Sequence, residues 1–378
     1  MMTNKKKIPF IRIQKKNAET FINIIKKSDL IEINKKFLPQ KTSNYVFFPI
    51  KEIPSECDES YLSFRNQLNF EVIWKKPIQD PNYKFKTIQN ALEGEIPNKY
   101  FQFIPKSFDV VGEIAIIEFN KDIQDIEESS KLKCEIAKAL TLVNKNITTV
   151  FEKASGIRGN YRRRQLNLLC GEETYETEYK ENNCNFKLDI RKTFFTPRMV
   201  NERLRISSLK YKENELIFDL FAGVGTFSIQ IARLHNVNIY AFDINPYAYS
   251  YLYQNIRANK SKGKVFPFNL NVKNLIVDKN ILNFFKNKID RVIMNLPETS
   301  LNFMDVTCTL LKKNSGILHL YQFCEKENSI EIALGKLESI LLKYQYKITK
   351  VFNKKVVKAY SPSHDMIGID ALIEEDKK

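Results

Sequence analysis

The chain has 378 residues, 43% of them hydrophobic and 28% charged, with a formal net charge of +16. That length holds two or three domains with real cores, and no apolar run reaches membrane-span length. The positive balance points to a polyanionic partner, nucleic acid first among them, although Lys beside abundant Asn and Ile also fits a genomic bias.

In chain order, the opening "MMTNKKKIPFIRIQKK" is basic and lacks the apolar core of a signal peptide. A mitochondrial presequence is the less favoured reading, because Lys predominates over Arg and Ser is absent. Residues 1–104 carry amphipathic helix-like stretches such as "AETFINIIKKSDLIEINKKF", with polar turns around Pro54, Pro77 and Pro81. They are expected to form an N-terminal domain. "FDVVGEIAIIEFN" opens a second domain, expected over 105–192. It continues through a helical "IEESSKLKCEIAKALTLVNK", a strand in "ITTVFEKASG" and paired strands in "YRRRQLNLLCGEETYETEYKENNCNFKLDI". The third domain is expected over 193–378. There "PRMVNERLRISSLK" starts a helix on its proline, and strands and helices then alternate from "ELIFDLF" to "IEIALGKLESILLKY". That rhythm predicts an α/β fold with a doubly wound, mostly parallel sheet. "KITKVFNKKVVKAYSPSHDMIGIDALI" reads as two long strands closing it as an antiparallel edge.

The six cysteines form no C-x-x-C pair or zinc spacing, and the three histidines are scattered. No metal site is expected, and the thiols read as reduced, in a cytoplasmic protein.

The chemistry concentrates where the alternation begins. "FDLFAGVGTFSIQ" reads as strand, Gly-rich turn and helix, with Gly223 and Gly225 letting the backbone approach a ligand. The third glycine of a dinucleotide fingerprint is Ser228, and no Lys-Ser/Thr of a P-loop follows. Asp219 at the strand end is expected to face the same crevice, where it repels phosphate and suits an ammonium. S-adenosylmethionine carries an ammonium and a sulfonium and no phosphate. In "NIYAFDINPYA", Asp243 ends the next strand, where such an acid binds ribose hydroxyls. "RVIMNLPE" places Asn295 after a buried strand, with an amide suited to a base edge and a proline to fix the turn. It resembles the Asn/Asp-Pro-Pro-aromatic motif of methyltransferases acting on nucleobase nitrogens. Glu202 in "VNERLRI" reads from spacing alone as a surface partner of Arg198. "GIRGNYRRRQL" packs Arg158, Arg162, Arg163 and Arg164 around Tyr161, a mixture suited to phosphate contact and base stacking, or to a solvated turn.

Together "FTPRMVNERLRI", "DLFAGVGTFSI", "FDINPYA" and "MNLP" resemble the archaeal and eukaryotic tRNA (guanine-37-N1)-methyltransferases, and "FDVVGEIAIIEF" and "GIRGNYRRRQLNLLCGE" resemble that family's second domain. The resemblance covers roughly 105–378 and is weaker before it. It implies a Rossmann-like class I catalytic domain, S-adenosylmethionine as cofactor and tRNA with guanine 37 as substrate. It implies Arg162 stabilising the guanine oxygen, Glu202 as general base and Asn295 orienting the base against the cofactor. The implied cofactor site is Asp219, Phe221, Gly223, Gly225, Asp243, Ile244 under the adenine, Asn271, Val272, Asn295 and Arg205 on the helix. Asn271 stands where the family usually has an acid near the adenine amino group. Arg158, Tyr161, Arg163 and Arg164 are the implied RNA contacts. The implied protein is a monomer, cytoplasmic, with nuclear or mitochondrial pools as the variants. Two competing readings remain at this point: the related aminocarboxypropyltransferase of wybutosine synthesis, and a noncatalytic RNA-binding protein on the same fold.

Overall fold

The computed structural model describes residues 7–28, 30–55, 57–154, 159, 161 and 164–377. The chain divides into two compact units, Met1–Thr87 and Ile88–Lys378.

The first unit is built on an antiparallel sheet in the order β2-β3-β1-β4, with β1 (Ile8–Gln14), β2 (Gln40–Lys41), β3 (Tyr45–Pro49) and β4 (Glu71–Lys75). Two helices, α1 (Ala18–Ile25) and α2 (Glu59–Leu68), cover it. Phe21 of α1 is wholly buried and stacks on Phe48 and Phe64 with ring centroids 5.2 and 5.7 Å apart. Asp58 caps α2 by accepting from the amides of Ser60 and Tyr61, and left-handed Asn69 ends it. The helical stretch expected to run on past residue 26 stops earlier. The Ser28 hydroxyl takes the Ile24 carbonyl at 3.1 Å, and Ile31 turns into the core.

The second unit begins with α3 (Ile88–Leu92), which packs on α4 (Ser129–Val143). Leu132, Ile136 and Leu140 place a buried stripe along α4 at helical spacing. They face a sheet of β5 (Asp109–Val111), β6 (Ile114–Ile117), β7 (Thr149–Lys153) and β8 (Leu166–Cys170) in sequence order. A hairpin follows, β9 (Glu176–Glu181) and β10 (Cys184–Asp189), joined by Asn182 and Asn183 at φ 48° and 61°. Asparagine is the side chain that best tolerates a two-residue turn of this hand.

After α5 (Val200–Ser207) comes a seven-stranded sheet. Its strands are β11 (Glu215–Asp219), β12 (Val237–Asp243), β13 (Lys264–Asn269), β14 (Arg291–Met294), β15 (Gly316–Glu325), β16 (Tyr346–Ala359) and β17 (His364–Glu375). The order is β13-β12-β11-β14-β15-β17-β16, parallel except for β17, which runs against both neighbours. This is the doubly wound sheet with an antiparallel edge that the alternation predicts. Pro267 sits in β13, an edge strand, where a missing amide costs no ladder bond. The connecting helices are α6 (Thr226–Leu234), α7 (Pro246–Ala258), α8 (Asn274–Val277), α9 (Lys279–Phe285), α10 (Met304–Leu310) and α11 (Ser329–Lys343). Strand order reverses between β11 and β14, and the crevice at that switch is where ligands bind in such sheets.

The boundaries expected at 104 and 192 both fall inside the second unit. Ile88 joins the core of Ala115, Ala137 and Leu140. One buried cluster runs from Ile114 and Phe151 through Leu188 and Phe195 to Val224 and Tyr251, so the small sheet, the hairpin, the turn after β11 and helix α7 share a core.

Candidate active site

A cavity of about 360 Å³ opens at the switch between β11 and β14. Its floor is the turn after β11. Gly225 has φ 94° and begins α6, and a Cβ there would come within 2.6 Å of Leu252 Cδ1. Both backbone and packing therefore require glycine. Gly223, at φ 57°, faces the cavity, and a Cβ built on it would have only the Phe194 carbonyl, at 4.0 Å, nearby. The Gly223 amide donates to Asp243 Oδ2 at 2.8 Å, and the Asn245 amide to Oδ1 at 2.8 Å. The acid at the end of β12 is thus aimed by the turn it serves, with its carboxylate oxygens as acceptors at the cavity wall.

Ile244, Asn271, Val272 and Phe221 line the same cavity as Asp243, and Asn295 closes its far side. The Asn295 amide makes no hydrogen bond among the described residues. The Leu296 amide donates to Ser300 Oγ at 3.1 Å, and the Phe323 amide donates to the Pro297 carbonyl at 3.0 Å, so the Asn-Leu-Pro turn is fixed from both sides. A nucleoside with a cationic tail fits these residues. The cradle at Gly223 is open, Asp243 offers acceptors to a ribose diol, Ile244 and Val272 offer apolar contact, and Asn271 offers an uncharged acceptor. Phe303, edge-on to Phe221 at 5.0 Å, lines this cavity and was not singled out in the sequence.

Asp219 is placed differently from expectation. It does not line the cavity but is wholly buried beneath the turn, with Oδ2 accepting from Ser228 Oγ at 2.7 Å and Oδ1 without a hydrogen-bond partner. The position of the missing third glycine is therefore a support for this acid. Burial, reinforced by the charge of Asp243, pushes the Asp219 carboxyl up to about 7. The folded form holds it neutral where the unfolded chain ionises it, so stability falls as pH rises from about 4 through about 7. Asp219→Asn should gain on the parent protein over that window, by up to about 4 kcal/mol at pH 8. Denaturant titrations at pH 5 and pH 8 check this. A parent-to-variant difference that is the same at both pH values contradicts it.

On helix α5 neither expected residue, Glu202 or Arg205, lines the cavity; Arg203 does, with Met199 just before the helix. The surface pair of Glu202 with Arg198 is absent, because Arg198 bonds Asp109 at 2.7 Å and Glu202 is 2% exposed. Glu202 Oε1 accepts from Arg205 Nη2 at 2.6 Å and from the Tyr321 hydroxyl at 2.9 Å. Its Oε2 accepts from Arg205 Nε at 3.0 Å and lies 2.6 Å from Lys355 Nζ. Burial pushes the Glu202 carboxyl up, but hydrogen bonds from Arg205 and Lys355 outweigh it and leave it below the usual range.

Arg205, expected beside the cofactor, instead bridges Glu202 to Asp370, whose Oδ2 lies 2.6 Å from Nη1. A buried relay continues from Asp370 to His319 Nδ1 at 2.6 Å, from His319 Nε2 to Arg291 at 2.8 Å, and from Arg291 to Glu215 at 2.6 Å. Arg291 can only donate, so His319 Nε2 accepts and Nδ1 carries the proton to Asp370. Burial accordingly lowers the His319 pKa despite Asp370, and Asp370 itself is held down to about 2, burial being outweighed by His319 and Arg205.

Arg203 forms a second buried pair, with Glu181 of the hairpin, and also reaches the Thr196 carbonyl at 3.2 Å. Gln230 donates to the same carboxylate at 2.7 Å. Of the arginine segment, Arg158, Arg162 and Arg163 lie outside the described residues. Gly159 and Tyr161 line the cavity, and the Arg164 guanidinium lies 5.8 Å from the centre of the Phe194 ring. No cluster of His, Cys, Asp and Glu suited to a metal occurs among the described residues, and no described helix is long and apolar enough to cross a membrane.

Comparison with known proteins gives this geometry relatives. Residues 177–349 match the model of the TRM5/TYW2 methyltransferase domain, and residues 88–174 that of the TYW2 N-terminal domain. A Pyrococcus abyssi protein, tRNA (guanine(37)-N(1))-methyltransferase Trm5b, is 32% identical over 83% of this chain and 91% of its own length. The structure of aTrm5 in complex with tRNALeu superimposes with a TM-score of 0.64 at 29% identity, covering 96% of this chain and 99% of that one. A Methanocaldococcus jannaschii protein, tRNA(Phe) (4-demethylwyosine(37)-C(7)) aminocarboxypropyltransferase, is 30% identical over 70% of this chain and 96% of its own length.

Proposed function

Because this chain belongs to the TRM5/TYW2 methyltransferase family, we propose that it transfers a methyl group from S-adenosylmethionine to N1 of guanine 37 in tRNA. The observation that carries the reading is the cavity itself, where Asp243, Asn271 and the unbonded amide of Asn295 face one another across the open turn at Gly223. S-adenosylmethionine supplies an electrophilic methyl when bound, so the protein has only to bind, orient and deprotonate.

In this reading Asp243 takes the ribose hydroxyls, Ile244 and Val272 flank the adenine, Asn271 accepts from its amino group, and Phe221, Gly223 and Gly225 shape the cradle. Asn295 orients the target base. Guanine N1 carries a proton at neutral pH, so a base must remove it as the N1–carbon bond forms, and Glu202 receives it. Charge then gathers on O6, where Arg162 is proposed to stabilise it. Tyr161, Arg158, Arg163 and Arg164 are proposed to hold the RNA, and Arg205 to hold Glu202 rather than the cofactor. The unit ending at Thr87 is proposed as a further tRNA contact, and the working form as a monomer in the cytoplasm.

Aminocarboxypropyl transfer is favoured by one observation, the match of residues 88–174 to the TYW2 N-terminal domain. Against it, the relative bearing that name aligns with only 70% of this chain, whereas aTrm5 aligns with 96%. Labelled methyl incorporation into an unmodified transcript tests the proposal. Incorporation should vanish when guanine 37 is replaced by adenine, and equal incorporation into both transcripts would defeat it. Asp243→Ala should weaken S-adenosylmethionine binding by about 1.5–3 kcal/mol, the range for hydrogen bonds to a charged group. Calorimetry showing parental affinity would remove Asp243 from the ribose role.

A further inference from the structure

The Glu202 carboxylate is saturated: four donor contacts occupy its two oxygens. A carboxylate whose lone pairs are all taken cannot receive a proton until one donor leaves. The four contacts are not equally able to leave. Arg205 supplies two of them, and its remaining nitrogen is tied to Asp370. Withdrawing it would strip two buried carboxylates, Glu202 and Asp370, of the guanidinium they share. Tyr321 is 1% exposed, with its ring against Phe227 of α6 at 5.8 Å. Lys355 makes a single polar side-chain contact among the described residues, comes from the edge strand β16, and its side chain is 36% exposed. Water can take up its ammonium as it withdraws.

Register explains its reach. Lys355 pairs with Gly368 on β17, and Gly368 pairs with Tyr321 on β15. No side chain stands between the lysine and the tyrosine, and a Cβ at Gly368 would lie 3.2 Å from Tyr321 Cε1. On the other side, β14 pairs Met294 with Leu320, so Asn295 and Tyr321 are the next residues of adjoining strands. The groups around Glu202 are thus Arg205 on its own helix, Tyr321 on β15, Asp370 on β17 behind Arg205, His319 behind Asp370, Lys355 on β16, and apolar Phe227 on α6.

We propose that Lys355 is a positioning residue for Glu202, holding the second lone pair of Oε2 in the resting protein and giving up that place when the carboxylate accepts the proton. The inference rests on the reading of Glu202 as the base. The balance is simple: the N1–H bond breaks, the N1 electron pair forms the bond to the methyl, and the carbon–sulfur electrons stay on sulfur. The proton ends on Oε2, and Lys355 keeps its three protons and moves to water.

Single-turnover methylation at saturating tRNA and cofactor, followed from pH 5 to 9, tests this. Without the lysine the carboxylate stays protonated to higher pH. Lys355→Met should move the acid-side fall in rate upward by about one pH unit or more, the shift expected on losing a cation in contact. Lys355→Arg should restore the parental profile. Lys354→Met, which removes the same charge from a lysine paired with Glu331, should leave the profile in place. A Lys355→Met profile of parental shape, whether at full rate or uniformly lowered, overturns the inference if Glu202→Gln is inactive. If Glu202→Gln is fully active, the reading of Glu202 as base fails first, and the role of Lys355 fails with it.

Discussion

Glu202→Gln should keep the fold, cofactor binding and tRNA binding, and lose about 10²- to 10⁴-fold in single-turnover rate, the usual worth of a positioned base. The amide preserves the shape of the side chain and can still accept from Tyr321 and one nitrogen of Arg205. It cannot take a proton from guanine N1. Because Glu202 is 2% exposed and closes a ring of donors, some loss of stability accompanies the change. Measuring the chemical step at saturating tRNA and cofactor, below the melting transition, separates the two effects. Glu202→Asp should retain a little activity, since the carboxylate is shortened but present. A purely structural Glu202 predicts the opposite pattern, with a lowered melting temperature and a parental rate in the Gln variant.

Arg203→Met should destabilise the protein by about 3–5 kcal/mol, because it strips a buried carboxylate of its counter-charge. Arg203 and Glu181 have side chains only 4% and 0% exposed, and the pair joins α5 to the hairpin that precedes it. Gln230 remains to donate to Glu181 but brings no charge. The double variant Arg203→Met/Glu181→Leu should recover most of the loss, since an apolar pair of similar volume leaves nothing charged in the core. Denaturant unfolding of the three variants checks this. A single-variant loss below about 1 kcal/mol would put the pair in the class of surface bridges. Because Arg203 also lines the cavity, the single variant should weaken cofactor binding, which calorimetry reads separately.

Much of the catalytic sheet was legible because its signals are local. The turn glycines, the proline opening "PRMVNERLRISSLK", the alternation of strands and helices and the long final strands each declare themselves within a few residues. The same holds for Asp243 and Asn295, which end strands beside the switch point. The first unit was less legible. Strand β1 lies in "IPFIRIQ", inside a basic stretch for which a presequence was the less favoured reading, and β3 and β4 are five residues each. What could not be read was orientation. Nothing in "VNERLRI" says that Arg203 faces the cavity while Glu202 and Arg205 face the sheet. The partners that decide it, Tyr321, Lys355 and Asp370, stand more than a hundred residues away. Asp219 misled for a related reason: a strand-end acid reads as a ligand contact until Ser228 is seen to hold it from below.

The most direct measurement is the mass and position of the group added. Purified protein is incubated with S-adenosylmethionine and an unmodified tRNA transcript bearing guanine 37, and the nucleoside at that position is analysed after digestion. The proposed function predicts a gain of one methyl group on N1 of guanosine. A gain of one aminocarboxypropyl group, a methyl on another atom or base, or no transfer by protein that binds both substrates would contradict it.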